Sequence, residues 1–247
     1  MVFLRFSLRP NLQRDRSNDS FSNVVEKLFE VIPSVDLYTD SGPERCRTCA
    51  VVGNSGNLKG SHYGALIDFC DTIIRINKAL TSGFEEDVGC RTTHHIMYPE
   101  SAIDLNSTTH LILFPFKTLD LQWLPGAITN GSTITFGHSP IPSKINANKD
   151  LVLVLHPRFM KYVHEVWLNY QGNYPSSGFM ALILALHICD EVKVFGFGPD
   201  KEGNIHHYFN STDKILVNQT TEHSFKNEFK VIMKLSEIQK IEFYKGW

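Results

Sequence analysis

Short, almost wholly apolar segments recur along the chain, separated by segments whose apolar residues follow helical spacing. Runs such as LVLVLH (151–156) lack the polar alternation of a half-exposed strand and are typical of parallel strands covered on both faces. The segments predicted as strands are 50–52, 72–78, 110–116, 133–136, 151–156, 192–198 and 240–246. The alternation therefore predicts one α/β domain with a central, mostly parallel sheet of about seven strands flanked by helices.

The segments predicted as helices are 23–33, 158–170, 178–189 and 224–238. In the first, Asn23 is expected to cap the helix and Pro33 to end it. The third is almost wholly apolar and is expected to be buried, whereas the fourth is amphipathic.

The composition excludes several classes of protein. The chain has 247 residues, a formal net charge of −2 and 42% hydrophobic residues, which suits a globular protein with a sizeable core. No basic excess indicates a nucleic-acid partner. No apolar run reaches the ~20 residues needed to span a bilayer.

The cysteines and glycosylation sequons bear on the cellular compartment. The cysteines are Cys46, Cys49, Cys70, Cys90 and Cys189. The one Cys-x-x-Cys pair has no second pair, so a structural zinc site is not expected. The Asn-x-Ser/Thr sequons lie at Asn18, Asn106, Asn130, Asn210 and Asn218. Together these features favour the secretory pathway, where disulfides persist.

Polar residues follow several of the predicted strands, where ligands of open α/β sheets bind. The first strand ends in the turn GNSGN (53–57), which offers neutral hydrogen-bonding groups and lets a ligand approach the backbone closely. The turn matches neither a P-loop nor the G-x-G-x-x-G fingerprint. Asn77 follows the second strand, and Gly198 ends the strand at 192–198. The pattern indicates a site for a polar, partly anionic ligand; an ordinary surface turn is the alternative.

Three further segments offer functional groups. In YPSSG (174–178), Ser176 or Ser177 could cap the buried helix, whose N-terminus would suit an anion; an ordinary cap is the alternative. GNIHHYF (203–209) places two adjacent histidines that should point apart and not share a metal. HSFKNE (223–228) begins the last helix with a histidine that could act as a base. Glu228 could support that turn of the helix or face solvent, and the segment taken alone favours exposure to solvent.

The sequence contains no Asp-x-Asp, so a divalent-metal clamp on a diphosphate has no obvious ligands. The cluster Glu85-Glu86-Asp87 is interpreted as a solvated turn. Gly-x-Ser-x-Gly is also absent, which disfavours an α/β-hydrolase.

Taken in order, these segments resemble the motifs of the eukaryotic sialyltransferases. The segment CAVVGNSGNLKG…CRTTHH (49–95) resembles the large sialyl motif, and YPSSGFMALILALHICDEVKVFGFG (174–198) resembles the small one. HHYF (206–209) matches the third motif and HSFKNE the very small His-x4-Glu motif. MYPES and LFPFKTLDLQW also look like this family, and HHYF and YPES are most similar to β-galactoside α-2,3-sialyltransferases acting on Gal-β-1,3-GalNAc.

The resemblance implies a variant GT-A-like glycosyltransferase fold and transfer of sialic acid, with inversion, from CMP-sialic acid to the 3-hydroxyl of a terminal galactose. It implies no cofactor and no metal, because CMP carries one phosphate and leaves already stabilised. The residues that match donor-binding positions of the family are Asn54, Asn57, Asn77, Ser176, Ser177, Gly178, Gly198, His206 and His138. His138 stands where a tyrosine commonly assists the phosphate.

The resemblance also assigns the catalytic and acceptor-binding roles. His223 matches the general base that takes the proton of the galactose hydroxyl. His207 matches the histidine that holds the donor phosphate as charge develops on it. The residues matched to the acceptor are Tyr174, Gln13 and Phe209, the last in a place where the subgroup usually has tryptophan.

The resemblance further implies a disulfide between Cys49 and Cys189, while Cys70 and Cys90 could pair with each other. It implies a type II single-pass protein of the Golgi lumen, whose cytoplasmic tail, membrane anchor and most of the stem are expected to be missing here. The expected division is a stem remnant with a helix at 1–43 and a catalytic domain at 44–247.

One alternative from another class is a non-catalytic nucleotide-sugar or glycan-binding protein, suggested by the His138 substitution, the missing stem and the lack of a partner upstream of Cys46. A dinucleotide-dependent oxidoreductase rests only on the glycine-rich turn, and Asn77 stands where an acidic residue would be needed. For the enzyme, the sequence leaves open whether the acceptor is an O-glycan or a glycolipid.

Overall fold

A computed structural model of the chain describes residues 19–33, 46–135, 140–216 (backbone only for 211–216) and 224–246. The strands are β1 (Thr48–Val52), β2 (Thr72–Ile76), β3 (His94–Met97), β4 (His110–Leu113), β5 (Val152–Val154), β6 (Glu191–Phe195), β7 (Asn204–His207), β8 (Asn210–Leu216) and β9 (Glu242–Tyr244). The α-helices are α1 (Phe21–Phe29), α2 (Gly64–Asp68), α3 (Glu85–Val88), α4 (Thr118–Ala127), α5 (Pro157–Tyr162), α6 (Ser177–Ile188) and α7 (Phe225–Glu237). Short 3-10 turns lie at Gly56–Leu58, Pro99–Ser101 and Lys149–Leu151, and a π-helical turn lies at Val163–Trp167.

The sheet confirms the predicted α/β fold class. Within the described ranges, seven strands form one sheet in the order β5-β4-β3-β2-β1-β6-β9, and β7 and β8 form a separate antiparallel hairpin. The pairs β1–β2, β1–β6, β3–β4, β4–β5 and β6–β9 are parallel. Strands β2, β3 and β5 are buried along their whole length, as expected for strands covered on both faces.

The chain divides into two compact units. The first unit comprises Met1–Leu37 and His94–Lys161 and carries β3, β4 and β5. The second unit comprises Tyr38–Thr93 and Tyr162–Trp247 and carries β1, β2, β6, β9 and the β7–β8 hairpin.

Helix α1 packs against α4 in the core of the first unit. Leu28 of α1 and Trp123 of α4 belong to one buried apolar cluster, and the Trp123 indole N–H donates to the Pro142 carbonyl at 2.8 Å. Ser20 caps α1, since its Oγ accepts from the Asn23 N–H at 3.3 Å. The prediction that Asn23 caps the helix is therefore wrong, because Ser20 already supplies the cap one turn earlier. The prediction that Pro33 ends the helix is also wrong, because α1 ends at Phe29.

A buried ion pair fixes the start of α4 in the first unit. Asp120 is fully buried, accepts from the Phe116 N–H at 2.7 Å, and lies 2.8 Å from Lys117 Nζ. Burial raises the pKa of Asp120 to about 6. The polar residues of LFPFKTLD thus hold the connection between β4 and α4.

The prediction of the sheet contains two errors: one predicted strand is absent from the described residues, and one strand of the sheet was not predicted. Residues 133–135 form no strand, and residue 136 lies outside the described part; nearby, the Ser132 N–H donates to the Ser143 carbonyl instead of to a sheet partner. The seventh strand is β3, which the sequence hides because it starts with two histidines. His94 and His95 are both buried, and His94 stacks on His110 of β4 with ring centroids 4.6 Å apart.

The predicted helix at 158–170 is interrupted. It begins as α5 and continues as the π-helical turn, where the Leu168 N–H donates to the Val163 carbonyl at 3.2 Å. The π turn ends before Asn169 and Tyr170, which both adopt positive φ. The sequence contains no proline or glycine at this point that would have signalled the change.

One disulfide joins Cys49 of β1 to Cys189 at the end of α6, as the family resemblance implied. Cys70 and Cys90 remain thiols, so their suggested pairing is wrong. Cys70 is buried beneath α2, whereas the exposed Cys90 thiol donates to the Asp68 carboxylate at 3.1 Å. Each sulfur thus has a local partner of its own.

Among the described residues, none of the helices has the length and apolar character that crossing a membrane requires.

The disulfide closes a loop with a sequence separation of 140 residues. In the chain-entropy model such a loop stabilises the folded state by roughly 4–5 kcal/mol. We expect the double variant Cys49→Ala/Cys189→Ala to lose about that free energy of unfolding, measured by urea denaturation.

The control for this experiment is Cys90→Ser, which removes an exposed thiol but keeps a donor for Asp68. We expect it to unfold at the wild-type urea concentration. Equal stability of the double variant and the wild type would contradict the structural role of the bridge.

Candidate active site

The turn after β1 is held against the end of β6. The Gly53 N–H donates to the Phe195 carbonyl at 2.8 Å, and the Ser55 N–H donates to the Gly196 carbonyl at 3.0 Å. A Cβ at Gly53 would lie 2.3 Å from the Gly196 oxygen, so only glycine permits this approach. The two neighbouring parallel strands therefore end in one interlocked pair of loops.

Asn54 and Asn57 each leave one buried acceptor unused. Asn54 Nδ2 donates to the Ile76 carbonyl at 2.9 Å, and Asn57 Nδ2 donates to the Phe197 carbonyl at 2.8 Å. These bonds assign the amide orientations, since only the nitrogen can donate. Both Oδ1 atoms are buried and meet no donor among the described residues. A buried acceptor without a partner costs free energy, so the two oxygens suit a ligand that carries hydroxyl or amino groups.

Asn77 follows β2 directly and adopts φ +57°, in the left-handed region that asparagine tolerates better than most residues. The structure therefore brings it to the strand end where Asn54 binds the main chain of Ile76. This juxtaposition is what the sequence predicted from the positions of the two asparagines.

The hairpin of β7 and β8 docks on the same turn. The Tyr208 N–H donates to the Asn54 carbonyl at 2.9 Å, and Ser55 forms an antiparallel bridge with His207. Tyr208 is almost fully buried, its hydroxyl donates to the Leu80 carbonyl, and burial raises its pKa to about 12. The tyrosine thus anchors the segment HHYF to the end of β1.

The two adjacent histidines differ in exposure, as predicted for neighbours on a strand. The His206 side chain is 10% exposed and lies 3.3 Å from Asp200 through Nδ1. His207 is exposed and stacks on Phe209 with ring centroids 5.1 Å apart. In the described part of the chain, no cluster of histidine, cysteine and carboxylate side chains could hold a metal ion.

The N-terminus of α6 lies in the second unit with these loops. Ser176 is the cap, and its Oγ accepts from the Phe179 N–H at 3.1 Å. Ser177 is the first helical residue, so the structure selects Ser176 from the two serines that the sequence offered. Gly178 follows, where a Cβ would come within 3.1 Å of the Phe197 ring.

Glu228 of α7 is a site residue for which the sequence left two alternatives, support of a turn or exposure to solvent. It is buried, and its two oxygens bind Ser176 twice: the backbone N–H donates to Oε1 at 2.7 Å and Oγ donates to Oε2 at 2.6 Å. The expectation that Glu228 faces solvent is wrong. Its spacing to the buried Ile232 and Leu235 places it on the apolar face of α7, and that spacing could have indicated its burial.

Gly198 follows β6 with φ +87°, and a Cβ there would lie 2.5 Å from the Phe229 ring of α7. The close approach of the Phe229 ring thus explains the glycine. Tyr174 is half-buried two residues before Ser176. Gln13, His138 and His223 lie outside the described residues.

Comparison with known proteins identifies the family. The model of glycosyltransferase family 29 (sialyltransferase) matches residues 2–240. CMP-N-acetylneuraminate-beta-galactosamide-alpha-2,3-sialyltransferase 1 of Gallus gallus is 47% identical over 237 residues, which cover 95% of this chain and 69% of that protein.

Two solved structures of a mammalian sialyltransferase agree with this. One has a TM-score of 0.88 at 45% identity and covers 96% of this chain and 83% of its own. The other, in complex with Gal-beta-1-3GalNAc-ortho-nitrophenol, has a TM-score of 0.85 at 44% identity and covers 94% of this chain and 82% of its own. The chain belongs to glycosyltransferase family 29, the sialyltransferases.

The contact of Glu228 with Ser176 predicts a measurable loss of stability. In Glu228→Gln the amide oxygen can still accept one hydrogen bond from Ser176. The amide NH₂, itself a donor, then faces the other group of Ser176 that donates to Glu228 in the wild type. We expect the free energy of unfolding in urea to fall by about 1–3 kcal/mol.

Glu237→Gln on the same helix is the matched control, because the Glu237 side chain is 63% exposed. It should leave the unfolding transition unchanged. Equal transitions for the two variants would contradict the role given to Glu228.

Proposed function

We propose that the chain transfers sialic acid from CMP-sialic acid to the 3-hydroxyl of a terminal galactose in Gal-β-1,3-GalNAc, with inversion at the sialic acid carbon. Membership of family 29 and the name of the Gallus gallus relative support the donor and the α-2,3 linkage. The acceptor is supported by the disaccharide unit in the ligand of a related structure.

The two buried, unpartnered Oδ1 atoms of Asn54 and Asn57 carry the assignment of the donor site. They are neutral acceptors that suit the hydroxyl and amino groups of a nucleotide. Asn77, Gly198 and His206 complete the proposed nucleotide side of the site.

The N-terminus of α6 supports the anionic part of the donor. Its first N–H groups and helix dipole favour a ribose-phosphate group at Ser176, Ser177 and Gly178. Because CMP carries a single phosphate, this helix end and the exposed His207 suffice for its charge, and we propose a reaction that needs no metal. His138 is assigned to the same phosphate on the resemblance alone.

The proposed reaction is a direct displacement. The galactose oxygen attacks the anomeric carbon of sialic acid while the bond from that carbon to the CMP phosphate oxygen breaks, so the electron pair leaves with CMP. His223 takes the proton of the attacking hydroxyl. His207 stabilises the negative charge that grows on the departing phosphate.

The acceptor is assigned to Tyr174, Phe209 and Gln13. The Phe209 ring, stacked on His207, supplies an apolar face of the kind that packs against sugar rings. Its neighbour is the histidine assigned to the phosphate, so donor and acceptor groups would meet there.

We further propose that the protein acts in the Golgi lumen as a type II membrane-anchored enzyme, with a stem remnant and helix α1 at 1–43 and a catalytic domain at 44–247. The disulfide supports an oxidising compartment.

The direct test is incubation of the chain with labelled CMP-sialic acid and a panel of disaccharide acceptors. We expect sialylated Gal-β-1,3-GalNAc as the main product. CMP binding without any transfer would instead support a non-catalytic binding protein.

His223→Ala tests the assignment of the base. We expect product formation to fall by about 10²–10⁴-fold, while CMP affinity by calorimetry stays within about twofold of wild type. His62→Ala is the control, since His62 is exposed and pairs with Glu86 outside the proposed site. Near-normal turnover of His223→Ala would remove this residue as the base.

The dependence on metal is tested separately. We expect the initial rate to be the same with a chelator and with added manganese, because the single phosphate is held by the helix end and histidine. Strong inhibition by the chelator that manganese reverses would contradict the proposed donor site.

A further inference from the structure

Asp200 lies in the tight turn between β6 and β7, and its two carboxylate oxygens have different tasks. Oδ1 accepts from the Glu202 N–H at 3.0 Å and from the Asn204 N–H at 2.7 Å. Oδ2 faces His206 Nδ1 at 3.3 Å and the Asn204 amide nitrogen at 3.4 Å. One oxygen thus closes the turn, and the other reaches the histidine.

The side chains of Asp200 and His206 are both almost completely buried. Their side chains are 6% and 10% exposed, respectively. Burial alone would raise the pKa of Asp200, but the hydrogen bonds that it accepts in the turn outweigh burial and hold its pKa below the usual range. His206 Nδ1 has no hydrogen-bond partner among the described residues, but the negative charge of Asp200 3.3 Å away favours the tautomer of a neutral His206 that carries its proton on Nδ1.

The opposite edge of the His206 ring lies against the glycine turn after β1. A Cβ at Gly56 would be 2.3 Å from His206 Nε2, closer than to any other atom of that ring. Gly56 stands between Asn54 and Asn57, whose buried Oδ1 atoms mark the proposed donor site. Nε2 therefore reaches the nucleotide side of that site.

We propose that Asp200 is a positioning residue for donor binding, which fixes the ring orientation and tautomer of His206 so that Nε2 is presented to the nucleotide at the Gly56 turn. This inference rests on the proposed function, since it takes the Asn54–Asn57 turn as the donor site. It assigns a role to a residue that none of the sialyl motifs recognised in the sequence includes.

Asp200→Asn separates this role from the role of the turn. The amide can keep an oxygen at the position of Oδ1, where it still accepts from the Glu202 and Asn204 N–H groups. Its NH₂ then faces His206 Nδ1, which must become an acceptor with the proton on Nε2. Asp200→Ala removes both tasks, and Glu202→Gln makes the same chemical change on an exposed side chain of the same turn.

The first measurement is the affinity of the full chain for CMP by calorimetry, together with the thermal midpoint of each variant. We expect Asp200→Asn to weaken CMP binding about tenfold or more, with a thermal midpoint close to that of Glu202→Gln. Glu202→Gln should bind CMP as the wild type does, and Asp200→Ala should lose both affinity and thermal stability.

The second measurement needs no ligand. In ¹⁵N nuclear magnetic resonance of the His206 ring at a pH where it is neutral, the proton should be on Nδ1 in the wild type and on Nε2 in Asp200→Asn. A proton on Nε2 in the wild type would overturn the inference.

The inference is also overturned if Asp200→Asn binds CMP as tightly as Glu202→Gln does, or if it loses as much thermal stability as Asp200→Ala. A wild-type chain that does not bind CMP would contradict the proposed function itself. Failure of the two proposals is therefore distinguishable.

Discussion

The contact between Gly53 and the carbonyl of Gly196 is the constraint on which the rest of the site depends. Without a side chain at Gly53, the loops after β1 and β6 exchange backbone hydrogen bonds directly. That close approach leaves Asn54 to bind the end of β2 and to receive the N–H of Tyr208. The hairpin that carries the two histidines is thereby fixed to the same edge, so one backbone contact organises three parts of the chain.

The site that results is mostly neutral. Amides, serine hydroxyls and the N–H groups of a helix end supply the hydrogen bonds of the site. The buried carboxylates bind the residues that carry these groups. Glu228 holds the cap residue Ser176, and Asp200 closes the turn before His206. Neutral groups around a helix N-terminus suit a donor with one phosphate, because the helix dipole favours an anion there. The rigid elements position the groups, and we propose that His223 supplies the proton transfer and His207 the charge stabilisation.

The sequence predicts the architecture well because buried parallel strands are almost continuously apolar. The prediction fails where polar residues are buried by contacts with residues that are distant in sequence. Strand β3 begins with His94 and His95, and the stacking of His94 on His110 replaces the apolar signal that identifies the other strands. Residues 133–135 show the opposite error, since a β-branched run with no strand partner among the described residues forms no strand.

The site shows the same division. The asparagines and Ser176 are found from their positions after strands and before a helix, because backbone geometry alone places them. Glu228 and Asp200 are harder to find, since their roles depend on residues that are distant in sequence or on the orientation of one ring. Only the helical spacing of Glu228 to Ile232 and Leu235 indicates that its carboxylate is buried.

Hydrogen exchange of the backbone amides with and without CMP tests the location of the donor site most directly. We expect exchange in residues 53–58 and 176–181 to slow by at least about tenfold at saturating CMP, while exchange in helix α4 of the first unit is unchanged. Protection by CMP elsewhere in the chain, with neither of these two segments affected, would contradict it.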